Sequence, residues 1–149
     1  MKLYRKATLK DGFRVLKELR EDDKQEVEGM GFPLLHAPIG LLFSEHPTYI
    51  ETPDGSPGGI AGVVRINEHE GQVWLLCTNH LTRFPIHTVR AGMQWLREVE
   101  KDYRLLWNLA DARNHVHHKL LKLTGFKALR SVPTGPDHLP YYEIVKLCA

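Results

Sequence analysis

The segment Leu105–Phe126, LLWNLADARNHVHHKLLKLTGF, constrains the fold more than any other part of this chain. An apolar run ends at Asn108–Asp111, Asn114 opens a helix, and Gly125 closes it immediately before Phe126. Asn suits the opening because its side chain can accept from the free amides of a first helical turn. Gly suits the close because it takes the left-handed conformation that ends a helix. The module reads as strand, helix, strand.

The rest of the chain supplies an alternating order of elements around it. Leu3–Lys6 reads as a strand, and Thr8-Leu-Lys-Asp11 has the spacing of a capping box that opens a helix with the stripe Phe13, Leu16, Leu19. Asp22 or Asp23 is the expected cap of a second helix running to about Met30, with Gly31 as its stop. Phe32–Phe43 reads as irregular, with one helical turn before Ser44. Thr48–Thr52 and Gly59–Asn67 read as strands joined by the Pro53-Asp-Gly-Ser-Pro-Gly turn, and Glu68–Gly71 reverses into Gln72–Thr78. A long helix then starts near Pro85, a residue suited to a first helical position. Ile86, Val89, Met93, Leu96, Val99 and Tyr103 are its expected buried face, with Arg90, Gln94, Arg97, Glu98 and Lys101 opposite. Strands at Leu105–Leu109, Phe126–Val132 and Tyr141–Leu147 complete the chain, the last two joined by a loop over Pro133–Pro140. Hairpins followed by a helical crossover imply an α/β fold (α+β mixed sheet) of about seven strands with helices on both faces, in one domain over residues 1–149.

Composition removes several classes of function. A formal charge of +2 is too small for the basic stripe of a nucleic-acid binder. No apolar run is long enough to cross a bilayer, and MKLYRKATLK lacks a signal-peptide core. Cys77 and Cys148 have neither metal nor disulfide spacing, which points to a reducing compartment.

The Asn114-to-Gly125-Phe126 module, the Thr8-x-x-Asp11 start, the glycine at Gly62 and the long helix together resemble the GNAT superfamily of N-acetyltransferases across nearly the whole chain. The Asn-to-Gly-Phe module is the specific part. Gln72-Val-Trp-Leu-Leu-Cys-Thr78, the helix after it, Tyr103-Arg-Leu-Leu-Trp-Asn108, Ser44 and Asp54-Gly55 are similar to a GNAT-like family of internal-virion or assembly proteins of short-tailed bacteriophages. That resemblance implies other phage structural or core proteins as partners. It also implies a location in the host cytoplasm during infection or in the virion interior.

The resemblance sets chemical requirements that the residues do not meet in the usual way. An acetyl-CoA enzyme of this type holds the pyrophosphate on a glycine-rich turn at a helix N-terminus. The equivalent stretch here, Asn79–Val89, has Arg83 in the basic position but no glycine before Gly92, and Pro85 lacks an amide. Arg83, His87 and Arg90 could still attract an anion there, and with Asn114 they form the conditional cofactor-binding set. The Tyr that protonates the departing thiolate in many GNAT enzymes, seven residues after the Asn, is replaced by Leu121, which cannot donate a proton. Glu68 and Glu70 are the candidate bases, at a hairpin tip where acids are usually just solvated.

Other chemistry-bearing residues read plainly. His115, His117 and His118 lack an acid or Cys to complete a zinc set, so they are expected to be solvated surface histidines, and no metal site is expected. Cys77 is expected to be a buried structural thiol, and Trp74, Trp95 and Trp107 to fill the core. The leading expectation is a phage protein with an acetyltransferase-like fold and a degenerate site, needing no cofactor and acting by protein contacts. The alternative is a divergent acyl-CoA-dependent N-acetyltransferase, for which acetyl-CoA would be the co-substrate. A small-ligand binder that kept the cleft between the fourth and fifth strands is the third.

Overall fold

The computed structural model describes residues 1–148. Its centre is one seven-stranded sheet, ordered β1-β2-β3-β4-β5-β7-β6. The strands are β1 (Tyr4–Lys6), β2 (Glu45–Ile50), β3 (Gly59–Arg65), β4 (Glu70–Cys77), β5 (Leu105–Asp111), β6 (Lys127–Thr134) and β7 (Leu139–Leu147). The helices are α1 (Leu9–Lys17), α2 (Glu21–Gly29), α3 (His36–Gly40), α4 (Asn79–Thr82), α5 (Pro85–Val99) and α6 (His115–Leu123). All strand pairs are antiparallel except β4–β5. The α/β class and the mixed sheet follow the sequence expectation. Among the described residues, no helix is long and apolar enough to cross a membrane.

Alternation along the central strands divides the core in two. Ile60 and Leu76 face a cluster with Val15 and Leu19 near α1 and Ala37 and Leu41 near α3. Ala61, Val63 and Val73 face the other side, against Trp95, Leu96 and Val99 of α5 and Phe126 beyond α6. This is the period-two pattern of a sheet covered on both faces.

The capping box forms as expected: Thr8 Oγ1 accepts from the Asp11 amide at 3.2 Å, and Asp11 Oδ2 accepts from the Thr8 amide at 2.8 Å. Several expectations need correction. The α1 face is Gly12 and Val15 with Leu19 beyond, while Phe13 is exposed. On α5 the buried residues are Thr88, Ala91, Trp95, Leu96 and Val99, whereas Ile86 and Met93 are 75% and 41% exposed. The stripe of large apolar residues misleads because the small side chains Thr88 and Ala91 face inward. Thr88 Oγ1 donates to the carbonyls of Leu81 and Phe84 at 3.0 and 2.8 Å, which anchors that face.

The segment before α5 carries an additional short helix, α4, whose first turn Thr78 caps through Oγ1. The β6–β7 hairpin extends further than expected: Pro133 and Pro140 lie opposite each other inside the strands, and Gly135, with positive φ, is in the turn. Pro133 is tolerated there because β6 is an edge strand. Trp95 is buried, but Trp74 and Trp107 are half-buried, their indole N–H groups donating to Ser44 Oγ and Glu70 Oε2.

Candidate functional site: the split between β4 and β5

The two central strands are joined only at one end. β4 and β5 pair over Glu70–Gln72 and Leu105–Trp107. Beyond that, β4 continues only with β3 as far as Cys77, and β5 only with β7 as far as Asp111. Side chains occupy the gap near the joined end: Asn108 Nδ2 donates to the Val73 carbonyl at 2.7 Å, and Gln72 Nε2 donates to Asn108 Oδ1 at 3.0 Å.

Backbone polarity shows which groups face the opening. The Val73 carbonyl and the Cys77 amide both point into it, since their partners are Asn108 and Asp23. Thr78, one residue on, donates back to Gly58 before β3. N–H and C=O groups alternate sides along a strand, so Leu75, between Val73 and Cys77, also turns its amide into the gap. An amide there is a donor waiting for an acceptor.

The far end of the split is held by α2. Asp23 and Glu26 are one turn apart on one helix face, and each accepts from a different strand. Asp23 Oδ2 accepts from the Cys77 amide at 2.7 Å, and Glu26 Oε2 accepts from the Asp111 amide at 3.1 Å. Asn114 Nδ2 donates to both carboxylates, at 2.8 Å to Asp23 Oδ1 and 3.2 Å to Glu26 Oε2. Arg20 Nη1 donates to Asp23 Oδ1 at 3.0 Å, and His117 Nδ1 lies 3.2 Å from Glu26 Oε1. Burial pushes the Asp23 carboxyl above its ordinary value, against the opposing charges of His117 and Arg20. Burial would lower His117, but Glu26 and then Asp23 outweigh it and hold the imidazole above its ordinary value.

This cluster corrects several expectations. Neither Asp22 nor Asp23 caps α2; the cap position is Arg20, and Asp23 sits inside the helix. Asn114 is the N-terminal boundary of α6, yet its side chain makes no capping bond and is only 1% exposed, turned onto the two acids. His117 is not a solvated histidine: its side chain is 12% exposed and paired to Glu26. His118 is half-buried, with Nε2 2.8 Å from the Asp111 carbonyl, and only His115 is exposed. The signal for Asp23 and Glu26 lay in the spacing of Arg20, Asp23 and Glu26 along a helix without an apolar stripe.

Two cavities open onto the split. One, about 240 Å³, lies between the start of α5, α6 and the end of β4, with Leu81, Pro85, Val89 and Leu120 in its wall. The other, about 460 Å³, lies among α2, α3 and the middle of the sheet, lined by Val27, Met30, Phe32, Phe43 and Trp74. A narrow space of about 50 Å³ under Leu121 adjoins both. Leu75 and His117 line all three.

The remaining expected residues lie elsewhere. Arg83 is exposed at the α5 entrance, with Nη2 3.0 Å from His80 Nδ1 and 3.7 Å from Asp54. His87 Nε2 bonds the Glu51 carbonyl at 2.6 Å, and Arg90 is exposed on the same helix. These three surround the α5 N-terminus, while Asn114 does not line the two larger cavities. Leu121 is half-buried against the core. Glu68 is exposed, and Glu70 is at the joined end of the strands, bonded to Trp107 at 3.0 Å. Five steps along the strand, roughly 16 Å at ~3.3 Å each, separate Glu70 from Leu75. Cys77 is buried, and burial pushes its thiol well above the ordinary value. Among the described residues no group of three or more His, Cys, Asp and Glu side chains is arranged to hold a metal ion.

No protein-family model matches the chain, and no curated protein sequence does. Solved structures do match over nearly its whole length. A GNAT-family acetyltransferase from Bacillus anthracis superposes with a TM-score of 0.70 at 13% identity, covering 97% of this chain and 93% of its own. A GNAT-superfamily phosphinothricin acetyltransferase from Sinorhizobium meliloti, in complex with acetyl-CoA, gives 0.70 at 16%, covering 98% and 88%. A ribosomal-protein-alanine N-acetyltransferase from Brucella melitensis gives 0.69 at 15%, covering 97% and 99%. The fold is therefore that of the GNAT acetyltransferases. At these identities the likeness establishes the fold alone.

Proposed function

We propose that this chain, with its acetyltransferase-like fold, binds an acyl thioester across the β4–β5 split and transfers the acyl group to an amine. The observation that carries this reading is the Leu75 edge. Its amide faces a gap between two cavities, where it can donate to an acyl oxygen as negative charge develops. The 240 Å³ cavity beside the α5 entrance suits the thioester arm, and the 460 Å³ cavity on the other side suits the amine. The phosphates would fall to the free amides of the first α5 turn and to Arg83, His87 and Arg90 rather than to a glycine loop. Asn114 stands behind the site as a positioning residue, through Glu26 and His117.

A thermal melt with and without millimolar acetyl-CoA tests this. A ligand at about a hundred times its dissociation constant adds roughly 2.7 kcal/mol, about 5–10 °C for a chain of this size. An unchanged melt removes the reading.

A second reading is favoured by a different observation. Leu35, Leu42 and Phe43, with Phe32 and Ile39, expose apolar surface around the larger cavity, Phe43 being 78% exposed. Clustered exposed apolar residues mark contact surfaces. On this reading the chain is a phage protein that has lost catalysis, Leu121 standing where a proton donor would be. It would then act by contact with other phage structural proteins in assembly or inside the virion, and requires no cofactor. Co-purification with tagged phage structural proteins, abolished by Phe43→Ser, is the expected result; retention by that variant refutes it.

A further inference from the structure

We propose that His117 is the proton carrier of the split, taking a proton from the attacking amine at Nε2 and returning it to the departing thiolate, with Glu26 as its positioning residue. This rests on the acyl-transfer reading and adds the group that Leu121 cannot supply.

The first support is position. Among the described residues, only His117 and Leu75 line all three cavities, so the imidazole opens onto the same spaces as the residue whose amide is assigned to the acyl oxygen. The second is orientation. Nδ1 lies 3.2 and 3.4 Å from the two oxygens of Glu26, which places its proton there, while no hydrogen-bond partner engages Nε2 among the described residues. An imidazole with one nitrogen fixed by a carboxylate presents the other as a base in a defined tautomer. The third is register. His117 precedes Leu121 by one helical turn and shares its face, and both side chains line the same space of about 50 Å³.

The electron and proton balance closes without another reactant. The amine lone pair forms the C–N bond at the thioester carbon, and the carbonyl pair moves onto the oxygen facing the Leu75 amide. That pair then returns, the C–S bond breaks, and its electrons leave on sulfur. The proton shed by nitrogen passes to Nε2 and from there to the thiolate, leaving an amide, a free thiol and histidine in its starting state.

The charged groups facing His117 fix the direction of the pH dependence. Glu26 and Asp23 on α2 favour the imidazolium, and Arg20, just before α2, opposes it. The base form therefore appears only as pH rises through a value above the ordinary one for histidine.

The test follows thiol release from acetyl-CoA by the full-length protein, with a mixture of short peptides carrying free α-amino and lysine amines, across a range of pH. His117→Gln is expected to bind acetyl-CoA as judged by the melt, yet release thiol at least about a hundredfold more slowly. Added imidazole is expected to restore part of the rate in His117→Ala. Glu26→Gln, the check should the His117 variants fold poorly, is expected to shift the rising limb of the pH profile to lower pH. If acetyl-CoA shifts the wild-type melt but His117→Gln keeps its rate and profile, the assignment fails and the acyl-transfer reading stands. Binding by wild type without thiol release also overturns the assignment. No melt shift in the wild type removes both.

Discussion

Replacing Asn114 with Ala isolates the buried polar cluster that closes the far end of the split. The side chain makes no cap bond, so helix capping contributes nothing to the loss. What disappears is one amide donor serving two carboxylates, at 2.8 Å to Asp23 and 3.2 Å to Glu26, together with a long contact in which Asn114 Oδ1 accepts from Arg20 Nη1 at 3.5 Å. Hydrogen bonds to charged groups contribute about 1.5–3 kcal/mol each. The longer bond counts at the low end, because Glu26 Oε2 retains the Asp111 amide. The sum is about 3–4.5 kcal/mol, a fall in Tm of about 6–18 °C at 2–4 °C per kcal/mol. Asn114→Asp has nearly the same shape but replaces the donor with a third carboxylate, so at neutral pH it should cost more. The new carboxyl would have a raised folded-state pKa, so the folded state would hold an extra proton. The excess loss relative to Asn114→Ala is then present at high pH and shrinks as pH falls through that value. Urea unfolding of the two variants at several pH values measures this. A loss below about 1 kcal/mol in both variants, or a difference between them that does not change with pH, would refute the reasoning.

Two further outcomes are expected. Burial alone would raise the Asp11 carboxyl, but hydrogen bonds from Arg5 and Thr8 outweigh it and hold the group at about 2, below the ordinary 3.8. Its contribution, about 1–2 kcal/mol after allowing for the half-exposed Arg5, is complete above the ordinary value and lost as pH falls toward 2. Asp11→Asn should therefore flatten the acid limb of a stability curve, and an unchanged limb refutes the pairing. In native protein, iodoacetamide should label Cys148 before the buried Cys77, whose thiol burial pushes far up. Equal labelling rates by mass spectrometry would exclude a closed β4 terminus.

What the sequence made legible was local. The Thr8–Asp11 capping box, the Gly125 stop and the run of hairpins are decided by residues a few positions apart, and the structure reproduces them. The polar cluster was not legible, because its partners are far apart in the chain. Asp23 finds the Cys77 amide 54 positions away, and Glu26 finds Asp111 85 positions away. Their three-residue spacing from Arg20 is a trace, but on a helix this rich in charge it looks like a solvated face. His117 was hidden for the same reason: its neighbours His115 and His118 suggest a surface cluster, and only α2 packing distinguishes it. The α5 face is hidden for another reason: small residues line its close approach to the sheet, so size is a poor guide to burial there.

The carboxylate clip of α2 has a consequence for how this fold can diversify. Where two strands are laced by their backbones, the distance between them is fixed by the peptide repeat and no substitution can tune it. Here the seam between β4 and β5 is spanned by Asp23, Glu26, Asn108 and Asn114, so its width belongs to side chains. Such a seam can be widened, narrowed or recharged one residue at a time while every ladder of the sheet stays in register. The aperture and the scaffold are thus separately heritable.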